Sequence, residues 1–361
     1  MRPILPYTNH PLANCFKKGG AALGYVVKQL PSAEQFTITS AAAVPNRLIQ
    51  WRSAAQLRWG SKFKWITMVG DISNMYDELD PEAAASAVKS ALLKVPVWAK
   101  RRVLDRVNMT RGGNDVLAGA AVNDNRVVIE FEILLDMCIY DCNHTYYRFR
   151  GKVNRRKFGV PMGGFMSPAM AIIMCAMVEI LFMDGAPDDL VGGVMRYMDD
   201  VLGIVAVSTA AEEAAARAWF KRIATGYPKP LVLNVEPEAD RLRFLELEIL
   251  VAGCDIYCGL FNTLAEATRL GKLALQRVPD VMSGSLRDVK RALVTGFVHR
   301  AIDGASDDIM ILRAVLEYRG ELLRAGWNPA WLSTSLWAVL AGNKLESEET
   351  RRLLALLGKV I

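Results

Sequence analysis

The stretch GVMRYMDDVLGIVAV, residues 193–207, sets two apolar runs on either side of the acidic pair Asp199 and Asp200. Short runs rich in Val and Ile read as buried strands, and acids between two of them fall at a turn. The reading is a β-hairpin that exposes both carboxylates at one end. A second segment, KWITMVGDI at residues 64–72, has the same make-up and also ends at an acid, so it reads as a buried strand with Asp71 at its tip. An Asp-Asp pair by itself is most often a solvated turn. Between apolar strands, however, adjacent carboxylates repel unless a cation neutralises them, which makes a metal site the economical reading.

The flanking segments alternate between helix and strand patterns. EAAASAVKSALLK at residues 82–94 reads as a helix, and a second apolar-periodic helix is expected between residues 127 and 142. TYYRFRGKV at residues 145–153 alternates around a Gly turn and reads as a hairpin. A glycine-rich loop then enters a helix over residues 159–182, with Ser167 as its expected N-cap and Pro168 in the first helical position. Next come an Ala and Glu-rich helix at 210–224 and strands at 231–236 and 243–250. Beyond Gly259 the pattern is helical, with helices expected at 285–302, 306–325, 329–341 and 346–359; Asn328 and Pro329 open the third. The fold class is therefore α+β.

Composition bounds the rest. A chain of 361 residues with 52% apolar residues buries a substantial core. Residues 1–64 hold nine Lys or Arg and one acid, Glu34, although the whole chain carries only +6. A basic segment of this kind suits a polyanion, since Lys and Arg neutralise phosphates and release counterions. The start of the chain shows no secretory pattern, so the six cysteines are expected to be free thiols in a reducing, intracellular compartment. The gaps between Cys138 and Cys142 and between Cys254 and Cys258 suit zinc on paper, but their apolar settings favour buried thiols. The longest apolar run, residues 169–183, is interrupted by Glu179 and is too short to span a bilayer.

Three acids on neighbouring strand ends are what nucleotidyl transfer requires. Hard divalent ions are bound by a few carboxylates and by the substrate's own phosphates, and two of them about 3.5–4 Å apart serve the attacking and leaving oxygens. The motif series is specific here. DISNMY (71–76), GVPMGGFMSP (159–168), YMDD (197–200) and FLELEI (244–249) resemble, in order and spacing, the motifs of reverse transcriptases. The resemblance spans roughly residues 65–255. Met162, where many retroviral relatives have Gln, and the strings LNVE and RFLELEI resemble Penelope-like and other non-retroviral branches.

The resemblance implies a right-hand polymerase palm with an antiparallel sheet and helices, reduced fingers and a helical thumb. In that frame residues 1–64 are a short basic fingers-like segment, 65–258 the palm with the catalytic motifs, and 259–361 the thumb-like region. It implies that Asp71, Asp199 and Asp200 are the catalytic acids, holding two Mg²⁺ ions, or Mn²⁺ as a substitute, with the main-chain carbonyl of Ile72. Tyr76 matches the aromatic residue beneath the incoming sugar that excludes a 2′-hydroxyl, so the implied substrates are dNTPs. Gly163 and Gly164 allow close backbone approach to template base and nucleotide. Arg148, Arg150, Arg155, Arg156 and Lys157, interleaved with aromatics, and Tyr197 and Met198 are expected at an RNA template and DNA primer, or an RNA/DNA duplex. Arg287, Lys290, Arg291 and Arg300 are weaker candidates for gripping that duplex.

The departures matter as much. Only about 64 residues are available for a fingers region ahead of the strand that carries Asp71; Lys28, Arg47, Arg52 and Arg58 are the candidates there for holding a triphosphate, in no recognisable motif. Lys229 is the candidate for the lysine that often follows the aspartate hairpin, and Glu236 stands where some relatives carry Lys. A protein partner that completes the fingers is one implication. Two other readings stay open: an RNA-dependent RNA polymerase with Asp77 as a sugar-reading acid, and a domesticated RNA-binding scaffold without polymerase activity. The natural template, the compartment and the oligomeric state are not legible.

Overall fold

The structure, a computed structural model, describes residues 10–31, 34–101, 104–113, 115–121, 123–149, 151–156, 158–187, 189–271, 278–284 and 287–342. Helices α1 (Ala13–Gln29) and α2 (Ala43–Trp59) precede strand β1 (Lys64–Ile72). The short α3 (Met75–Glu78), α4 (Pro81–Trp98), strands β2 (Arg106–Thr110), β3 (Leu117–Ala118) and β4 (Arg126–Glu130), and α5 (Phe131–Asn143) follow. Next come β5 (Tyr146–Phe149), β6 (Lys152–Arg155), α6 (Ser167–Met183), β7 (Val191–Tyr197) and β8 (Asp200–Val207). The remainder holds α7 (Ala210–Gly226), β9 (Leu233–Val235), β10 (Arg241–Phe244), β11 (Leu247–Ala252), β12 (Asp255–Leu260), α8 (Thr263–Arg269), α9 (Arg287–Asp303), α10 (Asp308–Arg324) and α11 (Pro329–Gly342). The fold is a mixture of helices and antiparallel sheet, as the sequence pattern implies. Among the described residues no helix is long and apolar enough to cross a membrane.

The chain forms two compact units. The first comprises Met1–Ile38, Met68–Ile204 and Thr209–Pro237; the second comprises Thr39–Thr67, Val205–Ser208 and Glu238–Ile361. The four-stranded sheet has the order β7-β8-β1-β9. Its inner strands are buried along almost their whole length, and the run of buried residues in β1 breaks only near its end, at the exposed Asp71. Such continuous apolar runs are what strands covered on both faces require. In the first unit α6 is apolar all round except for Ser167 at its start and Glu179, and ten of its 17 residues are buried. That pattern marks a central helix, and α6 packs against α1, α4 and α7.

In the second unit β10, β11 and β12 form an antiparallel sheet, and α2 and α10 both lie against β12. Trp65 donates to the Cys254 carbonyl at 3.0 Å, and Arg52 donates to the Ile256 carbonyl at 3.3 Å. Buried Glu248 of β11 pairs with Arg241 of β10 and with Arg313 of α10, the latter at 2.8 Å. Helices α9, α10 and α11 share a core in which the rings of Phe297 and Tyr318 stack with centroids 3.7 Å apart.

Several elements differ from the sequence reading. Residues 127–130 are strand, with the helix beginning only at Phe131, because Val127, Val128 and Ile129 pair with β2 and β-branched side chains suit a pleated surface. The single strand expected at 243–250 is a hairpin: Phe244 faces Leu247 across a two-residue turn with Leu245 at φ 58°. Ser167 is the first helical residue and Met166 the cap, so the expected side-chain cap is absent and the buried Ser167 hydroxyl has no protein partner. Strand β12 was not expected, and the helix expected at 346–359 lies outside the described residues. Asn328 does cap α11, accepting from the Trp331 amide at 3.0 Å.

Truncating one of the stacked rings tests the helical core. Phe297→Ala should destabilise the protein by about 3–5 kcal/mol, read as a lowered urea midpoint with the slope unchanged.

Candidate active site

The site is assembled by main-chain bonds at one end of the four-stranded sheet. The β7–β8 hairpin turns through Met198 and Asp199, with Met198 in the left-handed region at φ 55°. A positive φ at the first of two central residues is common to the primed turns, whose twist matches the strands they join. The Ile72 amide donates to the Asp199 carbonyl at 2.8 Å, and the Ser73 amide to the Val232 carbonyl at 3.0 Å. Asp71 itself lies opposite Asn234 of β9. The end of β1 is thus fastened to the aspartate turn on one side and to β9 on the other. Asp71 is exposed, and Asp199 and Asp200 are half-buried.

A buried polar network holds this turn from below. Arg196, the residue before Tyr197, is fully buried and forms an ion pair with Glu179 of α6, which is fully buried as well. The same guanidinium donates to the Met198 carbonyl at 2.8 Å, to the Thr37 hydroxyl at 2.9 Å and to the Ile172 carbonyl at 3.4 Å. Glu179 also accepts from the Tyr227 hydroxyl and the Phe36 amide, both at 3.0 Å. The 36–38 segment is laid alongside by the Arg196 amide donating to Phe36 O at 2.6 Å and the Ile38 amide to Arg196 O at 2.8 Å. Burial alone would lower the Arg196 pKa, but the adjoining Glu179 carboxylate keeps it above its ordinary value. Burial, followed by the charge of Glu179, carries the Tyr227 phenol well above its usual range, so it stays a hydrogen-bond donor.

Tyr76 stands beside the aspartates. Its pKa is pushed up to about 12, first by burial and then by electrostatic contributions, of which that of Asp199 is the largest. The ring is therefore neutral at any working pH. Gly163 adopts φ 94°, and a Cβ on Gly164 would sit 2.6 Å from the Ser167 hydroxyl and 3.0 Å from the Pro161 carbonyl. Glycine is required at both positions of this loop, one for its backbone angle and one for space.

The predicted nucleic-acid contacts divide. Tyr197 is 37% exposed, and Met198 is half-buried at the turn. Arg148 lies on β5, whereas Arg150 and Lys157 lie outside the described residues. Arg155 is exposed and donates to the Asn143 carbonyl at 2.8 Å. Arg156 is turned toward protein and pairs with Asp77 at 2.6 Å, a partnership that sequence reasoning missed. In the second unit Lys290 is committed to the Val281 and Ser283 carbonyls at 2.6 and 3.0 Å, and Arg300 stands 3.5 Å from Glu246. Arg58 lies over the Trp59 ring, and Arg47 is half-buried.

Carboxylates and a main-chain carbonyl are hard-oxygen donors of the type Mg²⁺ takes. Among the described residues no group of three or more His, Cys, Asp or Glu side chains is already gathered in a ligating arrangement. Cys138 and Cys142 are buried thiols, and among the described residues they belong to no group of three potential metal ligands. Burial pushes both thiols up, Cys142 to about 12, so in the absence of a metal both stay protonated.

No protein-family model matches the sequence, and no curated protein is detectably similar to it. Solved structures are similar in fold. Telomerase from Candida albicans in complex with a TWJ fragment of telomeric RNA superposes with a TM-score of 0.52 at 13% identity, over 95% of this chain and 58% of that one. Apo telomerase from Candida tropicalis gives 0.51 at 11% identity, over 90% and 50%. The chain spans less than two thirds of the length of either. At such identity the likeness concerns the fold, which is reverse-transcriptase-like.

Removing the buried cation tests what holds the turn. Arg196→Met leaves the Glu179 carboxylate buried without its partner and should cost about 3–5 kcal/mol of stability, measured by denaturant titration.

Proposed function

We propose that the protein is an RNA-templated DNA polymerase using dNTPs and divalent cations. The observation that carries this reading is the main-chain bond from Ile72 to Asp199, which brings Asp71 and the Asp199–Asp200 pair to the same end of one sheet. Asp71, Asp199 and the Ile72 carbonyl would hold two Mg²⁺ ions, with Asp200 in support. When bound, such ions supply Lewis-acid activation of a primer 3′-hydroxyl and charge neutralisation at the leaving pyrophosphate. The chain's own residues orient the rest. The Gly163–Gly164 segment admits the backbone to the nascent base pair, and neutral Tyr76 presents a ring edge rather than a charge to the sugar, blocking a 2′-hydroxyl by volume. The β5–β6 hairpin and Tyr197 would carry template and primer through phosphate contacts and stacking.

The likeness to a telomerase complexed with telomeric RNA supports RNA as a partner. A ribonucleotide polymerase would need the Asp77 carboxylate to read the sugar, and that carboxylate is paired with Arg156.

Single-nucleotide incorporation on a primed RNA template tests the reading. The wild type should incorporate dNTPs and reject rNTPs, and Tyr76→Ala should relax that rejection by roughly tenfold or more, the scale of one lost contact of about 1.4 kcal/mol in the transition state. Unchanged sugar preference in Tyr76→Ala would contradict the role given to the ring.

A further inference from the structure

The residue after Tyr76 and the segment leading into the glycine loop are locked together. Arg156 Nη2 donates to the Asp77 carboxylate at 2.6 Å and reaches the Tyr76 carbonyl at 3.5 Å, while its Nε donates to the Phe158 carbonyl at 2.7 Å. The guanidinium is only 12% exposed and the Asp77 side chain 31%. The Val160 amide adds a bond to Tyr76 O at 2.8 Å. Gly159, at φ 75°, lies so close that a Cβ there would overlap the Tyr76 and Asp77 carbonyl oxygens and sit 2.8 Å from Arg156 Nη2. On its other side, Asp77 is fixed by its amide donating to Asn74 O at 2.8 Å, with Asn74 in the left-handed region at φ 50°. The backbone on both sides of Tyr76 is therefore pinned, and the pin is a charge-assisted fork from a residue 79 positions away.

We infer that Arg156 and Asp77 are positioning residues for sugar discrimination: their ion pair clamps the turn that carries Tyr76 to the entry of the glycine loop and so fixes where the ring stands. The inference rests on the polymerase reading and deepens it. It also changes the assignment of Arg156, which belongs to this clamp and not to the nucleic-acid face. A small ring displacement is enough to matter, because a steric filter works by excluded volume, and an unclamped turn lets the ring yield to a 2′-hydroxyl. Lysine cannot replace the arginine fully, since one ammonium does not reproduce a planar fork directed at both Asp77 and the Phe158 carbonyl.

The test is kcat/KM for a dNTP and for its matching rNTP on a primed RNA template, with duplex affinity measured in parallel on the full chain. Arg156→Ala and Asp77→Asn should each lower the dNTP preference by about tenfold, the scale of one charge-assisted bond. The double variant should add little to either, because both remove the same interaction. Arg156→Lys should fall between, and duplex affinity should be unchanged throughout. If Arg156→Ala fails to fold, Asp77→Asn, which preserves shape, carries the test. Unaltered sugar preference in variants of an active wild type overturns the clamp alone. Additive losses, or weakened duplex binding confined to the Arg156 variants, also overturn it and return Arg156 to the nucleic-acid face. A wild type that incorporates neither nucleotide overturns the polymerase reading and the clamp with it.

Discussion

The buried ion pair between Arg196 and Glu179 is the interaction on which the rest of the site depends. Two charges leave water completely, and the loss of hydration is tolerable only because nearly every donor and acceptor around them is used. The acceptors for Arg196 come from Glu179, Met198, Thr37 and Ile172, so the turn, α6 and the 36–38 segment meet on one side chain. Glu179 is in turn held by Tyr227 and the Phe36 amide. A buried pair of this kind is weak evidence for extra stability, because well-packed apolar residues can replace such a pair without loss. Its physical use here is directional: the Arg196–Met198 bond holds the carbonyl of a left-handed residue immediately before the half-buried Asp199 and Asp200.

The turn is one of three pieces that have to agree. The Ile72–Asp199 bond joins it to β1, and the Arg156–Asp77 pair joins the turn after β1 to the glycine loop that opens α6. Since α6 also carries Glu179, the connections close on themselves: β1 to hairpin, hairpin to α6, α6 through its leading loop back to the turn beyond β1. A closed set of short-range constraints lets acidic groups that repel one another be kept on rigid strand ends instead of mobile loops. Positioning of this sort is what two-metal chemistry asks of a protein, because the ions do most of the electrostatic work and the chain supplies alignment.

Much of this was legible in the residues. The continuous apolar runs of β1 and β8, broken by acids, gave both strands and the placement of Asp71, Asp199 and Asp200 at one end, because strands buried on both faces leave little else for a charge to mean. The reading faltered where local pattern and tertiary pairing disagree. Residues 127–130 look like the start of an amphipathic helix, yet pairing with β2 draws them into a sheet. The 243–250 run reads as one strand because its alternation continues through the turn at Leu245, which nothing but a positive φ reveals. Glu179 looked like an interruption in an apolar helix. Its partner lies 17 residues away, and a lone buried acid and a lone basic residue within apolar runs are the signal that would have paired them. Arg156 was hidden differently, inside a basic cluster whose members look alike until one is seen facing a carboxylate.

The central claim is that the acids at the sheet end perform nucleotidyl transfer. The most direct measurement is primer extension on an RNA template with Mg²⁺ and dNTPs, comparing the wild type with the Asp199→Ala, Asp200→Ala double variant while RNA affinity is followed in both. The account predicts extension by the wild type, none by the double variant, and RNA affinity that the substitutions do not weaken. A wild type that binds RNA tightly, extends nothing and is indifferent to loss of both aspartates would contradict it, and would make the fold an RNA-binding scaffold.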